Sequence, residues 1–342
     1  MRVVSLFTLL LMAACSAPGG TAVSSPKQTG TSTPAAAQSC RLPVWWLELA
    51  PGGQETETHT GFISLPDGAF RDAGTVPPPA NMPAGLASFQ FADAAWIQSQ
   101  QKWVRAPQNL ISPDGASYAY WTGDPTGAQI HVASTSTGDD RVIYSGAMLL
   151  VPIAFKPEGI YAVRVINLRQ SAFENLYLLD PGGGAPRLVP GSDRHMYQYG
   201  WILVSDGAAW GMDYRVDGTK YFYSVLRLDL GSHQVTKWFE GPADEQYWPL
   251  GVDANHRLYA MFQSTRLVRL DRPGHAVDLE NPPKFQPGIV GGAASLSLDP
   301  YGVSLAAVGG VWHYGEDPRP RRYLIGRPDA IVWPAGPCLQ PS

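Results

Sequence analysis

Polar and apolar residues alternate along most of this chain in short runs, and turn formers break the runs at even intervals. In Leu110 to Trp121, two apolar-rich runs meet at Pro113-Asp114-Gly115. Proline and aspartate start a turn, Gly115 accepts a positive φ without steric cost, and Tyr118 and Tyr120 then fall on one face of the outgoing strand. The pattern predicts a β-hairpin, and it recurs. Gly159, Gly207, Asn255 and Gly302 each follow polar turn formers between β-rich runs, in successive steps of 44, 48, 48 and 47 residues counted from Gly115. Leu65-Pro66-Asp67-Gly68, 47 residues upstream of Gly115, extends the series to six.

A second signature fills the later half of each period. Leu176-Tyr-Leu-Leu-Asp180, Val225-Leu-Arg-Leu-Asp229 and Leu267-Val-Arg-Leu-Asp271 are matching strands, and Ile130-His-Val-Ala-Ser134 occupies the same slot. Two hairpins per period make one four-stranded sheet, which cannot bury both faces alone, so copies must stack. A ring hides both faces of every copy. The expected fold is therefore all-β, a six-bladed β-propeller, with seven blades or a β-sandwich as alternatives, because sandwiches also carry turn signals at short regular spacing. The first complete blade is expected over 61–107, followed by 108–146, 147–192, 195–242 and 247–285, with the last from about Ala293. Pro43 to Leu49 is expected to join that last blade as its outer strand or to cross its end, which would close the ring and remove exposed edges.

The chain opens differently. Arg2 supplies a thin positive region, Val3 to Met12 a short apolar core, and Met12-Ala13-Ala14-Cys15 ends it with small residues before a cysteine. About ten apolar residues are too few to span a bilayer. The tetrapeptide resembles the lipobox of bacterial lipoproteins, which implies removal of residues 1–14 and lipid attachment to Cys15. Methionine stands where that pattern prefers leucine, and there is a single basic residue, so an ordinary secretory signal is the alternative. Residues 16–39 are nearly all Ser, Thr, Pro, Ala, Gly and Gln, a composition that cannot bury enough apolar surface to fold. They read as a flexible tether with a reach of about 27 Å. The domain plan is thus signal peptide 1–14, lipidated cysteine and linker 15–39, and propeller 40–342, held at the extracytoplasmic side of a bacterial membrane. Of three cysteines, Cys40 and Cys338 border the folded region, and in an exported chain such a pair reads as a disulfide, two free thiols being the alternative.

Leu110 to Tyr120, Gly61-Phe-Ile-Ser-Leu-Pro-Asp-Gly68 and Trp103-Val-Arg105 resemble the TolB-like and WD40-like propeller repeats of bacterial lipoproteins, over about residues 61–308. These motifs are structural turns, so the resemblance implies a fold and leaves function open. The histidine and Trp-Asp signatures of true WD40 repeats are absent.

Candidate chemistry is sparse. The chain has no Gly-x-Ser-x-Gly elbow, Walker loop, paired-cysteine zinc pattern or His-Glu-x-x-His. Asp213-Tyr-Arg215-Val-Asp217-Gly218 has the outline of a calcium loop, but Arg215 puts a cation where an oxygen ligand belongs, so a hairpin turn is expected. The seven histidines lack metal-ligand spacing; His195 and His256 sit near repeat starts or turns and read as solvated. Eleven tryptophans and fifteen tyrosines are many, and sugars stack on such rings. Tyr197, Tyr199, Tyr247 and Trp248 precede inner strands and form the candidate ligand-binding face; the alternative is that these rings fill wedges between blades. A net charge of −4 with acids and bases interspersed argues against nucleic acid. The expected function is a lipid-anchored, monomeric, non-catalytic module that binds a protein or glycan, without cofactor or metal. The alternative is an exported propeller enzyme, a metal-dependent lactonase or other hydrolase, or a lyase, acting at the central channel.

Overall fold

The computed structural model describes residues 39–49, 55–77, 93–124, 127–167, 172–194, 196, 200–262, 266–280, 296–315 and 319–340. All of them fall in one compact unit, Gln38–Ser342. Cys15, the signal peptide and nearly all of the linker lie outside the described residues, as do Tyr197, Tyr199 and His195.

Alternating strands dominate. The chain begins with β1 (Cys40–Leu49), β2 (Glu55–Leu65) and β3 (Phe70–Val76), then forms a short hairpin from β4 (Ala95–Ile97) and β5 (Lys102–Val104). Sheet II follows, with β6 (Ser117–Asp124), β7 (Gly127–Ser134) and β8 (Asp140–Gly146), and Ile111 bridges Tyr118 in place of a first strand. Sheet III is β9 (Leu150–Lys156), β10 (Gly159–Asn167), β11 (Ala172–Leu179) and β12 (Arg187–Leu188). Sheet IV is β13 (Gly200–Ser205), β14 (Ala208–Asp217), β15 (Lys220–Asp229) and β16 (Val235–Glu240). Sheet V is β17 (Tyr247–Val252), β18 (Leu258–Phe262), β19 (Arg266–Arg272) and β20 (His275–Asp278). Sheet VI is β21 (Leu296–Asp299), β22 (Gly302–Val308), β23 (Gly310–Tyr314) and β24 (Arg321–Leu324), and β25 (Ile331–Pro334) ends the series.

Within each sheet, side chains alternate between the cores on its two faces, as a period of two demands. In sheet IV, Trp201, Val204, Ala209, Leu226 and Leu228 pack against Tyr161, Val163 and Leu176 of sheet III. Their neighbours Leu203, Ala208, Trp210 and Val225 pack against Tyr247, Leu258 and Val268 of sheet V. The same sharing joins II to III through Ile130 and Ile160, and V to VI through Leu250 and Val303. Val311 and Tyr323 of sheet VI then meet Leu42, Val44 and Trp46 of β1. The β4–β5 hairpin completes the circuit. Its Ile97 and Val104 pack on Tyr118 and Tyr120 of sheet II, while Ala94 and Trp103 pack on Trp45 and Trp333. A chain of antiparallel sheets whose cores return to the first sheet is a β-propeller.

Closure mixes strands from the two ends of the chain, as expected. β25 lies between β22 of the last blade and β1, so β1 reaches that blade through β25. The result is one eight-stranded sheet of order β24-β23-β22-β25-β1-β2-β3, with β21 on β22, and β25, β1, β2 and β3 are called sheet I. Sheet VI already has four strands, and β1 has a partner on each side: β2 over its full length and β25 at Val44, Trp45 and Trp46. Trp45 and Trp333 stack there with ring centroids 4.2 Å apart. Two further pairs, Ala307 with Val332 and Val308 with Ile331, link β25 back to sheet VI. Cys40 and Cys338 form a disulfide beside this clasp, with Cα atoms 5.6 Å apart. Residues 61–107 are accordingly not one blade, because β2 and β3 belong to sheet I while β4 and β5 pair with each other. Gly68 also occupies a different slot. Gly115, Gly159, Gly207 and Gly302 turn the chain into the second strand of a sheet, whereas Gly68 joins the third and fourth strands of sheet I. The first two strands of that sheet come from opposite ends of the chain, so no turn connects them.

Candidate functional site

The expected aromatic face does not assemble from Tyr247 and Trp248. Tyr247 is buried in the wedge between sheets IV and V, edge-on to Phe239 at 4.8 Å, and donates its hydroxyl to Glu245 Oε2 at 2.9 Å. Trp248, the next residue along β17, lies half-buried against the core between sheets V and VI. Adjacent strand residues face opposite sides, so the two rings cannot share a platform.

Two other places concentrate functional groups. The first is the β14–β15 hairpin, paired residue by residue from Ala208 and Asp229 to Asp217 and Lys220, with Gly218 at φ 62° in its turn. The calcium-loop outline at Asp213 to Gly218 is thus hairpin, as expected. On the face that begins with buried Met212 and Val225, the next pairs outward are Tyr214 with Tyr223 and Val216 with Tyr221. The three tyrosine rings lie with centroids 5.4 to 6.4 Å apart, and Tyr221 and Val216 are 43% and 57% exposed. The opposite face is ionic. Arg215 lies 4.0 Å from the Phe222 ring centroid and reaches Glu240, which also accepts Lys237 at 3.0 Å and Ser224 Oγ at 3.2 Å. These cations, Arg215 first, hold the Glu240 carboxyl below its usual range.

The second place is in sheet II. Thr122 on β6, His131 on β7 and Asp140 on β8 are linked in a line. His131 Nδ1 lies 3.0 Å from Asp140 Oδ2, and His131 Nε2 lies 3.1 Å from Thr122 Oγ1. A carboxylate at Nδ1 makes that nitrogen the donor, which leaves Nε2 to accept the threonine hydroxyl. Tyr120 stacks on the imidazole at 4.6 Å and donates its own hydroxyl to the same Asp140 Oδ2 at 2.7 Å. Asp140 Oδ1 is buried without a hydrogen-bond partner. Burial raises the Tyr120 phenol, helped by its bond to Asp140, and burial with the nearby Asp140 charge pushes Tyr118 up to about 12. Both therefore stay protonated at neutral pH.

The threonine end of this line opens on a cleft of about 320 Å³ lined by Thr122, Gly123, Gly127, Ala128, Gln129, Ser145 and Gly146. Thr122, Gln129 and Ser145 are register partners on three successive strands, so they form one row across the sheet. Among the described residues, the element packed on this face is the two-stranded β4–β5 hairpin, which meets Tyr118 and Tyr120; along the outer row Gln129 and Ser145 are exposed, while Thr122 is 8% exposed. The glycines keep the walls close. A Cβ on Gly127 would lie 2.8 Å from the Gly146 carbonyl oxygen.

Sequence reading missed this line because each member sits in a different strand. Its signal is a spacing of nine, from 122 to 131 and from 131 to 140. The same spacing separates Ser304 from His313 in sheet VI, where Ser304 Oγ and His313 Nδ1 are 3.0 Å apart. There the serine sits on Nδ1, the nitrogen that faces the aspartate in sheet II, the backbone of Tyr301 also bonds the ring, and burial lowers the His313 pKa. His256 is exposed and pairs with Asp206 at 2.7 Å, across the turns of sheets IV and V. Among the described residues no group of three or more His, Cys, Asp or Glu is placed to hold a metal.

No family model and no curated protein matches this chain. Among solved structures it is similar to TolB from Acinetobacter baumannii, at 14% identity and a TM-score of 0.47, covering 86% of this chain and 67% of that one. A putative TolB from Agrobacterium tumefaciens is similar at 11% identity and 0.46, covering 88% and 99%. An oligogalacturonate lyase in complex with manganese is similar at 7% identity and 0.46, covering 90% and 99%. The propeller fold stands on the strand pairing and the closed series of cores; these likenesses add no argument about binding or catalysis.

Proposed function

We propose that this chain is a lipid-tethered, extracytoplasmic propeller that captures a glycan, with the aromatic face of the β14–β15 hairpin as its contact. The observation that carries the reading is the outward run of Tyr214, Tyr223, Tyr221 and Val216 past the buried core of sheet IV. Size favours a sugar over a protein partner. A standard protein interface covers about 800 Å² per partner. The large exposed hydrophobic side chains among the described residues are Val142, Ile166, Leu188, Val216, Tyr221 and Leu324, scattered over four sheets, and only Val216 and Tyr221 are register partners. A pyranose needs one aromatic face and a few polar groups, which the tyrosine hydroxyls supply. Export and lipidation rest on the Met12-Ala13-Ala14-Cys15 tetrapeptide and the Ser/Thr/Pro linker.

The test is a glycan array probed with full-length protein, followed by calorimetry on each hit. Tyr221→Ala is expected to weaken binding at least tenfold. A protein captured at this hairpin with no glycan hit would overturn the choice of ligand. Metabolic labelling with a fatty acid, lost in Cys15→Ala, tests the anchor.

A further inference from the structure

We propose that Thr122, His131 and Asp140 form an acyl-transfer site in sheet II that hydrolyses short-chain esters of polar alcohols, independently of ligand capture at the β14–β15 tip. The arrangement has the parts that such chemistry requires, in the right order. Thr122 Oγ1 lies 3.1 Å from His131 Nε2, and Asp140 Oδ2 lies 3.0 Å from Nδ1 on the far side of the ring. The base is oriented twice, because Tyr120 stacks on the ring and bonds the same carboxylate oxygen. The nucleophile and not the base lines the cleft, so an ester entering there meets Thr122 first.

In the first half-reaction the Thr122 oxygen bonds to the ester carbonyl carbon as its proton passes to His131 Nε2. The tetrahedral intermediate then breaks its bond to the alcohol oxygen, and His131 returns the proton to that leaving group. In the second half-reaction water adds to the acyl-threonine carbon, giving its proton to His131. Collapse releases the acid, and the proton returns to Thr122, so the sum is ester plus water to acid plus alcohol. Gln129, the register partner of Thr122, carries the side-chain amide in this row that can donate to the developing oxyanion, and the Ser145 hydroxyl beyond it can bond the alcohol part. The cleft of about 320 Å³ is lined by glycine, alanine and short polar chains, which leaves room beside Thr122 for a small acyl group.

Sheet VI supplies an internal control. Its Ser304–His313 pair has the same spacing but no carboxylate behind the imidazole, so it should be inert.

The experiment measures hydrolysis of p-nitrophenyl acetate and butyrate by full-length protein, with acid-quenched peptide mapping for an acetyl adduct. Wild type is expected to exceed buffer, to prefer acetate, and to carry the adduct on Thr122. Thr122→Val, which keeps the side-chain shape, should lose at least about a hundredfold in rate, while Thr122→Ser stays within about tenfold of wild type. Gln129→Leu should lose about tenfold to a hundredfold. Asp140→Asn should lower kcat while leaving KM unchanged, the mark of a positioning residue. Ser304→Ala should match wild type, and circular dichroism checks that every variant is folded. A wild-type rate equal to buffer, a Thr122→Val rate equal to wild type, or an adduct elsewhere would overturn the proposal, and none of these results bears on glycan capture.

Discussion

Sheets II and IV follow the same antiparallel plan, yet their second and third strands end in opposite ways. In sheet IV the outer end of β14–β15 carries tyrosines that continue the line of buried Met212 and Val225 into solvent. In sheet II the equivalent strands turn threonine, histidine and tyrosine inward, and Asp140 ties them together. The neighbours make the difference. Sheet IV sits between two four-stranded sheets that cover its faces, so its exposed groups are those that outrun them. Sheet II meets a two-stranded hairpin on one face, which buries Tyr118 and Tyr120, and the outer row lines a cleft. A repeat fold thus acquires distinct local surfaces wherever one copy is longer than its neighbours, or one neighbour is shorter.

This contrast can be broken in several ways, and the largest effect is expected in the core of sheet IV. Trp201 is fully buried and donates its indole N–H to the Ser192 carbonyl at 3.1 Å. Trp201→Ala should cost about 3–5 kcal/mol of stability, read by denaturant titration. Next comes the polar line of sheet II. Asp140→Ala strands the Tyr120 hydroxyl and His131 Nδ1 without their acceptor, and a loss of about 2–3 kcal/mol is expected. A loss below about 1 kcal/mol would show that the line does not hold the sheet together.

A smaller effect concerns Asp93, just before the hairpin that flanks sheet II. Burial raises its carboxyl from 3.8 to about 7, with Arg105 opposing the rise. Below pH 3.8 both folded and unfolded chains carry the proton and there is no penalty. Between 3.8 and about 7 the folded chain keeps a proton that the unfolded chain has lost, so stability falls as pH rises, and the change ends above about 7. Thermal midpoints across this range should show that decline, and Asp93→Asn should flatten it. Smallest of all, Tyr221→Ala should change stability by less than about 0.5 kcal/mol while weakening the proposed capture at least tenfold, since the ring is exposed and beyond the core.

The repeat was legible because its turns are chemically demanding. Gly115 and Gly207 adopt φ of 72° and 65°, a region costly for most residues, and in sheet V His256 at 60° takes that conformation next to Asn255. The third strands were legible from their alternation. The meeting of Pro43 to Leu49 with the last blade was legible as a closure, but its register on β25 was not, because an apolar period of two declares a strand without fixing its pairing, and β25 lies nearly the whole chain away. Tyrosine count pointed to aromatic residues in strands but not to which of them are exposed. Tyr247 and Tyr221 are both strand tyrosines, and only the reach of the adjacent sheets buries the first and exposes the second. The Thr122–His131–Asp140 line was hidden for a related reason, since three polar residues on three strands make no local motif.

The clasp at Cys40 and Cys338 has one more consequence. With those α-carbons 5.6 Å apart, the folded unit has no natural first residue. A circular permutant that fuses the two borders through a short peptide and opens at the exposed Gly138 or Gly274 turn should regain the same architecture, and its new ends would emerge at a site of the experimenter's choosing.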